Sequence, residues 1–264
     1  MKTAPPSNGK HTIPAVVKAM ELVRVLAEEE GETTTKALAL RLGIPRTTCY
    51  RILRSLMTRD WIRAVDNGGH ELSLGLLPVL NPLRPIEVLA DAVEPFLEKL
   101  ALETQLTAKV SVRQGDYAVT VARCESPQET SVAVRIGASF HLAYGSSGAV
   151  LLSELEADEV AAILDRAPEE CWKHQSREDV LKRLRELKAK GWCSDMGAFR
   201  PSCHAVSAPV RGAQDKIVAA MTVIGFPHEV TAARLPGLAR AVIEAAQDAG
   251  RALRRLTTSR RTRT

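Results

Sequence analysis

Residues 33–57 read TTTKALALRLGIPRTTCYRILRSLM, a run that predicts two short helices joined at Leu42-Gly43-Ile44. Pro45 suits the first position of the second helix, because a residue there needs no N–H donor. Apolar residues recur at helical spacing in that helix, which predicts a buried stripe of Cys49, Ile52, Leu53 and Leu56. The pattern predicts a helix-turn-helix; a solvated helical hairpin with a basic face is the alternative.

The face opposite the stripe carries basic and hydroxyl side chains: Arg46, Thr47, Thr48, Tyr50, Arg51 and Arg54. No acidic residue occurs between Glu32 and Asp60. In a helix-turn-helix the second helix enters the DNA major groove, where arginine binds guanine or phosphate and threonine can reach either. We therefore predict that these six residues contact double-stranded DNA, together with Thr35 and Lys36 of the first helix.

The flanking sequence predicts the rest of a winged helix-turn-helix over residues 14–75. An apolar stripe predicts a first helix at 14–29, and short strands are predicted at 61–65 and 71–74. Between the strands, Asp66-Asn67-Gly68-Gly69 is a strong turn signal. Asn67 and His70 are predicted at the wing tip, where they either approach the DNA backbone or are simply solvated.

Charge is unevenly distributed along the 264 residues. Residues 1–75 hold 11 Lys+Arg against 8 Asp+Glu, residues 251–264 hold 6 against none, and the middle holds 19 against 23. Basic ends favour contact with a polyanion. The basic tail, 257–264, either adds phosphate attraction or is a frayed, solvated end.

The sequence also indicates a cytoplasmic protein. No run of 18 apolar residues could span a membrane. Residues 1–13 lack an apolar signal core and are predicted to be a disordered arm. The five cysteines should then be reduced, and they show no zinc-finger spacing. We expect no metal and no cofactor, because the Cys203-His204 pair lacks further spaced ligands.

Beyond residue 75 the pattern changes to a linker and an α+β domain. The linker, 76–85, is rich in proline, so at most one short helical turn is expected. Residues 86–256 predict an antiparallel sheet with helices on its faces. The helices are predicted at 86–102, 145–155, 156–166, 177–190 and 233–256, and the strands at 108–112, 117–121, 131–136, 206–211 and 217–224.

The chain resembles the IclR family of bacterial transcriptional regulators over about residues 14–256. The run from Gly43 to Leu53 resembles the family's Gly-Leu-Pro-basic-Ser/Thr-Thr-x-Tyr-Arg-x-Leu signature. Lys190-Gly191-Trp192 and Ser207-Ala208-Pro209-Val210 are similar to two further landmarks, without a gap between them. The resemblance implies an N-terminal winged helix-turn-helix, a C-terminal GAF-like effector domain, and a homodimer or a dimer of dimers.

Several positions depart from the family's pattern. Ala198, Ser202 and Ala205 replace a glutamate, a glycine and a cysteine, and Thr222 and Ile224 replace paired serines. The resemblance implies that Asp195 and, in part, Thr222 retain the polar character of the family's keto-acid pockets. The replacements favour a less polar effector, larger than glyoxylate or aromatic.

The predicted effector site centres on the helix that begins near Ser146, Ser147 and Gly148. Free N–H groups at a helix start bind anions, so a carboxylate is expected there, unless Ser146 merely caps the helix. Asp195 either accepts a hydrogen bond from the effector or caps a loop. His141 either polarises the effector or is structural, and Ala205, Thr222 and Ile224 complete the predicted lining.

The predicted function is a DNA-binding regulator whose operator binding responds to an organic acid, with no catalytic residues. Two alternatives remain open at this point. One is an orphan repressor with a vestigial pocket. The other is a thiol enzyme on the GAF-like domain that uses Cys193 or Cys203, although the sequence offers no persuasive triad.

Overall fold

The computed structural model describes residues 12–28 and 33–261, with side chains described as far as residue 256. The chain divides into two compact units, Met1–Arg84 and Pro85–Thr264. Most of the predicted arm and the last three residues of the predicted tail lie outside the described residues. Within the described ranges, no helix is both long and apolar enough to cross a membrane.

The N-terminal unit is a three-helix winged helix-turn-helix. Its elements in chain order are α1 (Pro14–Glu28), β1 (Thr33–Thr34), α2 (Thr35–Leu42), α3 (Arg46–Met57), β2 (Ile62–Ala64) and β3 (Gly69–Leu72). Leu22, Leu38 and Leu53, one from each helix, are almost fully buried in its core. Gly43 ends α2 with a φ of 61°, a left-handed conformation that glycine adopts without strain. This glycine makes the tight turn into α3.

The wing contains one strand more than the sequence predicted. The strand order is β1-β3-β2, because Thr33 and Thr34 pair with His70 and Gly69. Two residues are too few to show an alternating pattern, so β1 could not be predicted from periodicity.

The segment after the wing is helical almost throughout, which corrects the prediction of at most one turn. It consists of a 3-10 turn at Leu74–Leu76, α4 at Leu77–Leu80, a second 3-10 turn at Asn81–Leu83, and then α5 at Arg84–Thr104. Pro78, Pro82 and Pro85 each lie in the first positions of a helical turn, where a proline removes no hydrogen bond. The prolines therefore start new turns and do not end the helical path.

The C-terminal unit is built on a six-stranded antiparallel sheet with the order β6-β5-β4-β9-β8-β7. Its strands are β4 (Thr107–Gln114), β5 (Tyr117–Cys124), β6 (Ser139–His141), β7 (Cys193–Arg200), β8 (Cys203–Arg211) and β9 (Ile217–Gly225). The remaining helices are α6 (Gly145–Leu152), α7 (Ala157–Asp165), α8 (Arg177–Lys190) and α9 (Leu235–Arg261). The predicted α+β architecture is confirmed.

Helices cover both faces of this sheet. On one face α5 and α9 pack against the strands through a core that includes Leu97, Val110 and Val242. On the other face α6 lies against β8 and β9, and α7 and α8 pack behind it around Leu152 and Ile163. Side chains that alternate along each strand therefore enter two different layers.

The strand assignment is wrong at two places, one where a predicted strand does not form and one where an unpredicted strand does. No strand forms at residues 131–136. The chain pairs instead at β6, where Thr120 N–H donates to the carbonyl oxygen of Ala138 and Thr120 O accepts from the N–H of Gly137. Strand β7 was missed because its sequence, CSDMGAFR, contains no β-branched residue. Alternation at 131–136 could not reveal that the segment has no ladder partner.

Helix ends agree with the sequence where capping signals are strong. Helix α8 begins after a Ser176–Asp179 capping box and ends at Gly191, as predicted. Helix α6 ends at Leu152, three residues before the predicted end. Helix α9 continues to Arg261, so the first residues of the predicted tail are helical.

Candidate functional site

The solvent-facing side of α3 carries three exposed arginines. Arg46, Arg51 and Arg54 are exposed, and none forms an ion pair with any described residue. Tyr50 lies on the same helix and 55% of its surface is accessible. Cys49, Ile52 and Leu53 hold the opposite side of the helix in the core. The buried side of α3 therefore holds the helix in the core, and the exposed side is available to bind an anion.

Most of the other predicted DNA contacts lie near this face. Thr47 and Lys36 are exposed, and Thr35 and Thr48 are half-buried. Asn67 is exposed in the turn between β2 and β3. His70 lies in β3, the central wing strand, and its Nδ1 is buried without a partner among the described residues, so the prediction that it sits at the wing tip is wrong.

In the C-terminal unit a cross-strand row, Lys109, Thr222, Ser207 and Cys193, faces α6. The pairing places Lys109 opposite Thr222, Thr222 opposite Ser207, and Ser207 opposite Cys193. Directly paired residues have Cβ atoms about 4.5–5.5 Å apart. Strand β4 and the three consecutive strands β7, β8 and β9 thus place four side chains side by side.

Hydroxyl groups connect this row to the start of α6. Ser207 Oγ lies 2.8 Å from Thr222 Oγ1 and 2.8 Å from Ser146 Oγ, and all three residues are buried. Tyr144 is the N-cap residue of α6, so Ser146 does not cap the helix, and that alternative is wrong. Ser146 instead binds the helix to the sheet.

A second cross-strand row lies beside the first. Asp195 is paired with Ala205, and Ala205 with Ile224. Asp195 is 4% exposed, and its carboxylate accepts hydrogen bonds from the N–H groups of Ala198 (2.7 Å) and Phe199 (3.2 Å). It therefore shapes the irregular part of β7, and strands β9 and β8 lie between it and Lys109.

The first turn of α6 is packed tightly against the loop before it. A Cβ placed on Gly148 would lie 2.2 Å from the carbonyl oxygen of Leu142. A Cβ on Gly145 would lie 3.3 Å from Asp195 Oδ2. Ser147, between them, is 4% exposed. The structure thus brings together Asp195, Ala205, Thr222, Ile224 and the start of α6.

In the part of the chain that the structure describes, no hydrogen bond, ion pair or ring contact joins His141 to these residues. Its Nδ1 accepts a hydrogen bond from Ala143 N at 3.2 Å, and its ring meets the ring of Tyr117 edge-on at 5.5 Å. Burial lowers the pKa of the imidazole, and the side chain is 3% exposed. These contacts fit the structural interpretation, in which His141 holds the turn that leads into α6.

Sequence reasoning missed Lys109, Ser207 and an aromatic cluster. Lys109 is 7% exposed, and its Nζ lies 4.5 Å from the ring centroid of Phe140. Phe199 lies 5.6 Å from Phe140 and 4.6 Å from Tyr144, between ring centroids. The available signal was the polar residues at alternate positions of the predicted strands, which periodicity alone does not assign to a site.

The cysteines offer little support for thiol chemistry. Cys193 is fully buried, and burial raises the pKa of its thiol to about 12. His204 lies beside Cys203 in sequence, but its Nδ1 hydrogen-bonds to Val230 O at 2.8 Å. No group of three or more His, Cys, Asp or Glu side chains is arranged for a metal in the part of the chain that the structure describes.

Family comparisons agree with both units. Residues 15–66 match the IclR helix-turn-helix domain, and residues 86–251 match the bacterial transcriptional regulator IclR C-terminal domain. The chain belongs to the IclR family of bacterial transcriptional regulators. The resemblance seen in the sequence is confirmed, and so are the wing and the curled antiparallel sheet that IclR proteins share.

Relatives of known name extend over most of the chain. The transcriptional regulator KipR of Bacillus subtilis is 24% identical over 88% of this chain and 93% of its own. The Thermotoga maritima IclR structure has a TM-score of 0.69 at 16% identity, over 92% and 100% of the two chains. An IclR homologue from Microbacterium hydrocarbonoxydans, solved with 4-hydroxybenzoate, has a TM-score of 0.68 at 14% identity, over 91% and 99%.

Proposed function

We propose that this IclR-family regulator binds operator DNA through α3 and that a small carboxylate-bearing effector, bound in the C-terminal unit, changes that binding. The observation that carries the proposal is the set of three exposed arginines on α3 that have no carboxylate partner among the described residues. Such arginines bind phosphates or the edge of guanine. The protein would act in the cytoplasm, where operator DNA is.

The rest of the N-terminal unit supplies contacts of the kind that position a recognition helix. We propose that Arg46, Thr47, Thr48, Tyr50, Arg51 and Arg54 face the major groove. Thr35 and Lys36 would bind the DNA backbone from the start of α2, and Asn67 would reach it from the wing. Half-buried His70 would act only by holding the wing strands together.

A homodimer, or a dimer of dimers, would present two such helices to paired half-sites. The support is a set of exposed apolar side chains on α1 and on the helical linker, namely Val16, Met20, Leu74, Leu77, Val79, Leu80 and Leu83. Light scattering should give at least twice the chain mass. Met20→Glu should lower that mass, whereas Ile136→Glu, at an exposed loop position in the other unit, should not.

The effector proposal rests on the buried polar groups of the C-terminal unit. Helix α6 begins at Gly145, and its first N–H groups favour an anion. Ser146, Thr222 and Asp195 add hydrogen-bonding groups, whereas Ala205 and Ile224 add apolar surface. Since the Microbacterium homologue was solved with 4-hydroxybenzoate, an aromatic acid is a reasonable effector to test.

Regulation would follow from unequal affinity of the effector for two arrangements of the protein. A ligand shifts such an equilibrium only by the difference between its affinities for the two states. We propose that the helical segment from Leu74 to Leu83 transmits the change, since consecutive helical turns transmit force better than a flexible coil does.

The DNA proposal is tested by an Arg51→Ala variant in gel-shift titrations at several salt concentrations. We expect binding to weaken by about 1–3 kcal/mol at every salt concentration if Arg51 binds a base edge. If it binds only phosphate, the slope of log K against log salt should become shallower by about 0.9. Arg177→Ala removes an equal charge from α8, where Arg177 pairs with Asp165, and serves as the matched control.

Unchanged operator affinity in Arg51→Ala would refute the assignment of that residue.

Thermal shift with a panel of aromatic and aliphatic acids tests the effector. An acid at about 100 times its dissociation constant should add about 2.7 kcal/mol to the free energy of unfolding. If no acid shifts the transition, the orphan repressor is favoured.

A further inference from the structure

Lys109 is a buried cation without an anion. It lies in the middle of β4, is 7% exposed, and is the only lysine among the buried polar residues of the described chain. No described residue forms a hydrogen bond or an ion pair with its ammonium group. The ammonium group lies over the face of Phe140, with Nζ 4.5 Å from the ring centroid.

Neighbouring strands do not neutralise this charge. The residue opposite Lys109 on β5 is Arg123, which is itself paired with Glu125 at 2.8 Å. The residue opposite on β9 is Thr222, which is uncharged and already linked to Ser207. Burial alone lowers the pKa of Lys109 to about 8. At neutral pH the ammonium therefore stays largely charged although it lies out of water.

An unpaired buried ammonium is unfavourable, and a protein keeps such a group hydrated, neutral or paired. A contact with one aromatic ring compensates only in part, by about 1–2 kcal/mol. A ligand carboxylate would supply the missing anion. The bond formed would be charge-assisted, and such bonds are about twice as strong as neutral ones.

We propose that Lys109 binds the carboxylate of the effector and that Phe140 and Phe199 hold an apolar or aromatic body beside it. This inference rests on the proposed effector function and moves the anion from the start of α6 to the cross-strand row. Thr222 is next to Lys109 in that row, so its hydroxyl is the nearest candidate to bind the second carboxylate oxygen.

The surroundings also limit the ligand to one negative charge. Asp195 lies in the adjacent row, on β7, and strands β9 and β8 separate it from Lys109 on β4. A second carboxylate directed toward Asp195 would meet a like charge, which is unfavourable. A hydroxyl group on the distal end could donate to Asp195. The ligand class is thus a monocarboxylate with an apolar body, with or without a distal hydroxyl.

The test is isothermal titration of the full-length protein with benzoate, 4-hydroxybenzoate and pyruvate, and with the amides of the two aromatic acids. Lys109→Met keeps most of the length of the unbranched side chain and removes its charge. Lys99→Met, at an exposed lysine of α5, is the matched control. We expect Lys109→Met to weaken binding of the aromatic acids at least about tenfold and to leave the amides within about twofold.

A second measurement uses only the wild-type protein and does not depend on how the variant folds. At pH 8.5, titration in buffers of different ionisation enthalpy should show uptake of a fraction of a proton with each aromatic acid. The amides should cause no uptake, because only a carboxylate favours the charged form of Lys109.

The outcomes separate the two proposals. Acids that bind the wild type and Lys109→Met equally, or without proton uptake, would overturn the role of Lys109 and leave the effector function standing. If no acid binds the wild type at about 10 mM, both proposals fail. If pyruvate binds as tightly as benzoate, the aromatic body is refuted, since Phe140 and Phe199 would then contribute nothing.

Discussion

Ser146 and Ser207 hydrogen-bond to each other through their hydroxyl groups, 2.8 Å apart, across the interface between α6 and β8. Ser207 in turn contacts Thr222 Oγ1 at 2.8 Å, so the three hydroxyls form a continuous chain from helix to sheet. All three residues are at most 1% exposed. Because water does not reach them, each hydroxyl depends on its neighbours for a partner.

We predict that Ser207→Ala lowers the free energy of unfolding by about 1–3 kcal/mol, because it leaves the hydroxyls of Ser146 and Thr222 short of a partner. Thr222→Val breaks only one of the two links and should cost less. Urea denaturation of the three proteins measures the difference. Equal stability of Ser207→Ala and the wild type would show that the chain contributes nothing to folding.

Gly148 is predicted to tolerate no side chain. A Cβ there would lie 2.2 Å from the carbonyl oxygen of Leu142, a backbone atom that cannot rotate away. Gly148→Ala should therefore destabilise the protein by at least about 1 kcal/mol, although alanine is the better helix former. Gly237→Ala in α9 is the control, since its Cβ would meet nothing within 4 Å.

Thermal denaturation compares the two variants. Gly237→Ala should be neutral or slightly stabilising, because alanine restricts the unfolded chain more than glycine does. If Gly148→Ala proves as stable as Gly237→Ala, the close approach of α6 to the loop at Leu142 is incorrect.

A pH dependence of stability is predicted from Lys109. Its folded pKa of about 8 lies below the usual 10.5, so the unfolded chain binds more protons between these values. Stability from this residue is therefore greatest above pH 10.5 and is lost as the pH falls through 8. On the neighbouring strand, the charged residue opposite Lys109 is Arg123, which is paired with Glu125 just beyond the end of β5.

The difference between wild type and Lys109→Met isolates this effect, because other groups titrate alike in both. Between pH 7 and pH 9.5 the wild type should gain about 1–2 kcal/mol relative to the variant, measured by urea denaturation at each pH. A constant difference would mean that Lys109 titrates as an exposed lysine does.

Thiol labelling should follow burial. Cys49, Cys171 and Cys193 are buried, and burial raises the pKa of each thiol. Cys124 and Cys203 are half-buried. We predict that a maleimide modifies Cys203 and Cys124 in the native protein long before Cys193, as followed by peptide mass spectrometry. Fast labelling of Cys193 would revive the thiol-enzyme interpretation.

Sequence patterns predicted those parts of the fold whose signals are local. The apolar stripe of α3, the Gly43 turn, and the Ser176 and Gly191 caps of α8 all depend on neighbours within a few residues. Strand β1 and strand β6 form only because distant segments pair with them. Short alternating runs contain no information about whether a partner strand is present, which explains the false strand at 131–136.

The same contrast between local signals and long-range pairing applies to the candidate sites. The exposed arginines of α3 were predicted from the residue pattern of that helix alone, and the structure exposes them as predicted. Lys109 and Ser207 were missed because the sequence does not show which strands are neighbours, and only the pairing of β4, β9 and β8 beneath α6 brings their side chains together. His70 was misplaced because β3 begins at Gly69, two residues before the predicted start of that strand, and the turn signal, Asp66–Gly69, does not specify where pairing resumes.

The cross-strand row also bears on how regulators of this kind can diverge. Lys109, Thr222 and Ser207 are held in register by backbone hydrogen bonds, so their order across the sheet does not depend on their side chains. Substituting one of these residues leaves the backbone hydrogen bonds between the strands intact and changes only the side chain at that position of the row. If the row binds the effector as proposed, a single nucleotide change in one of its codons would alter which metabolite is bound while the DNA-binding helix stays the same.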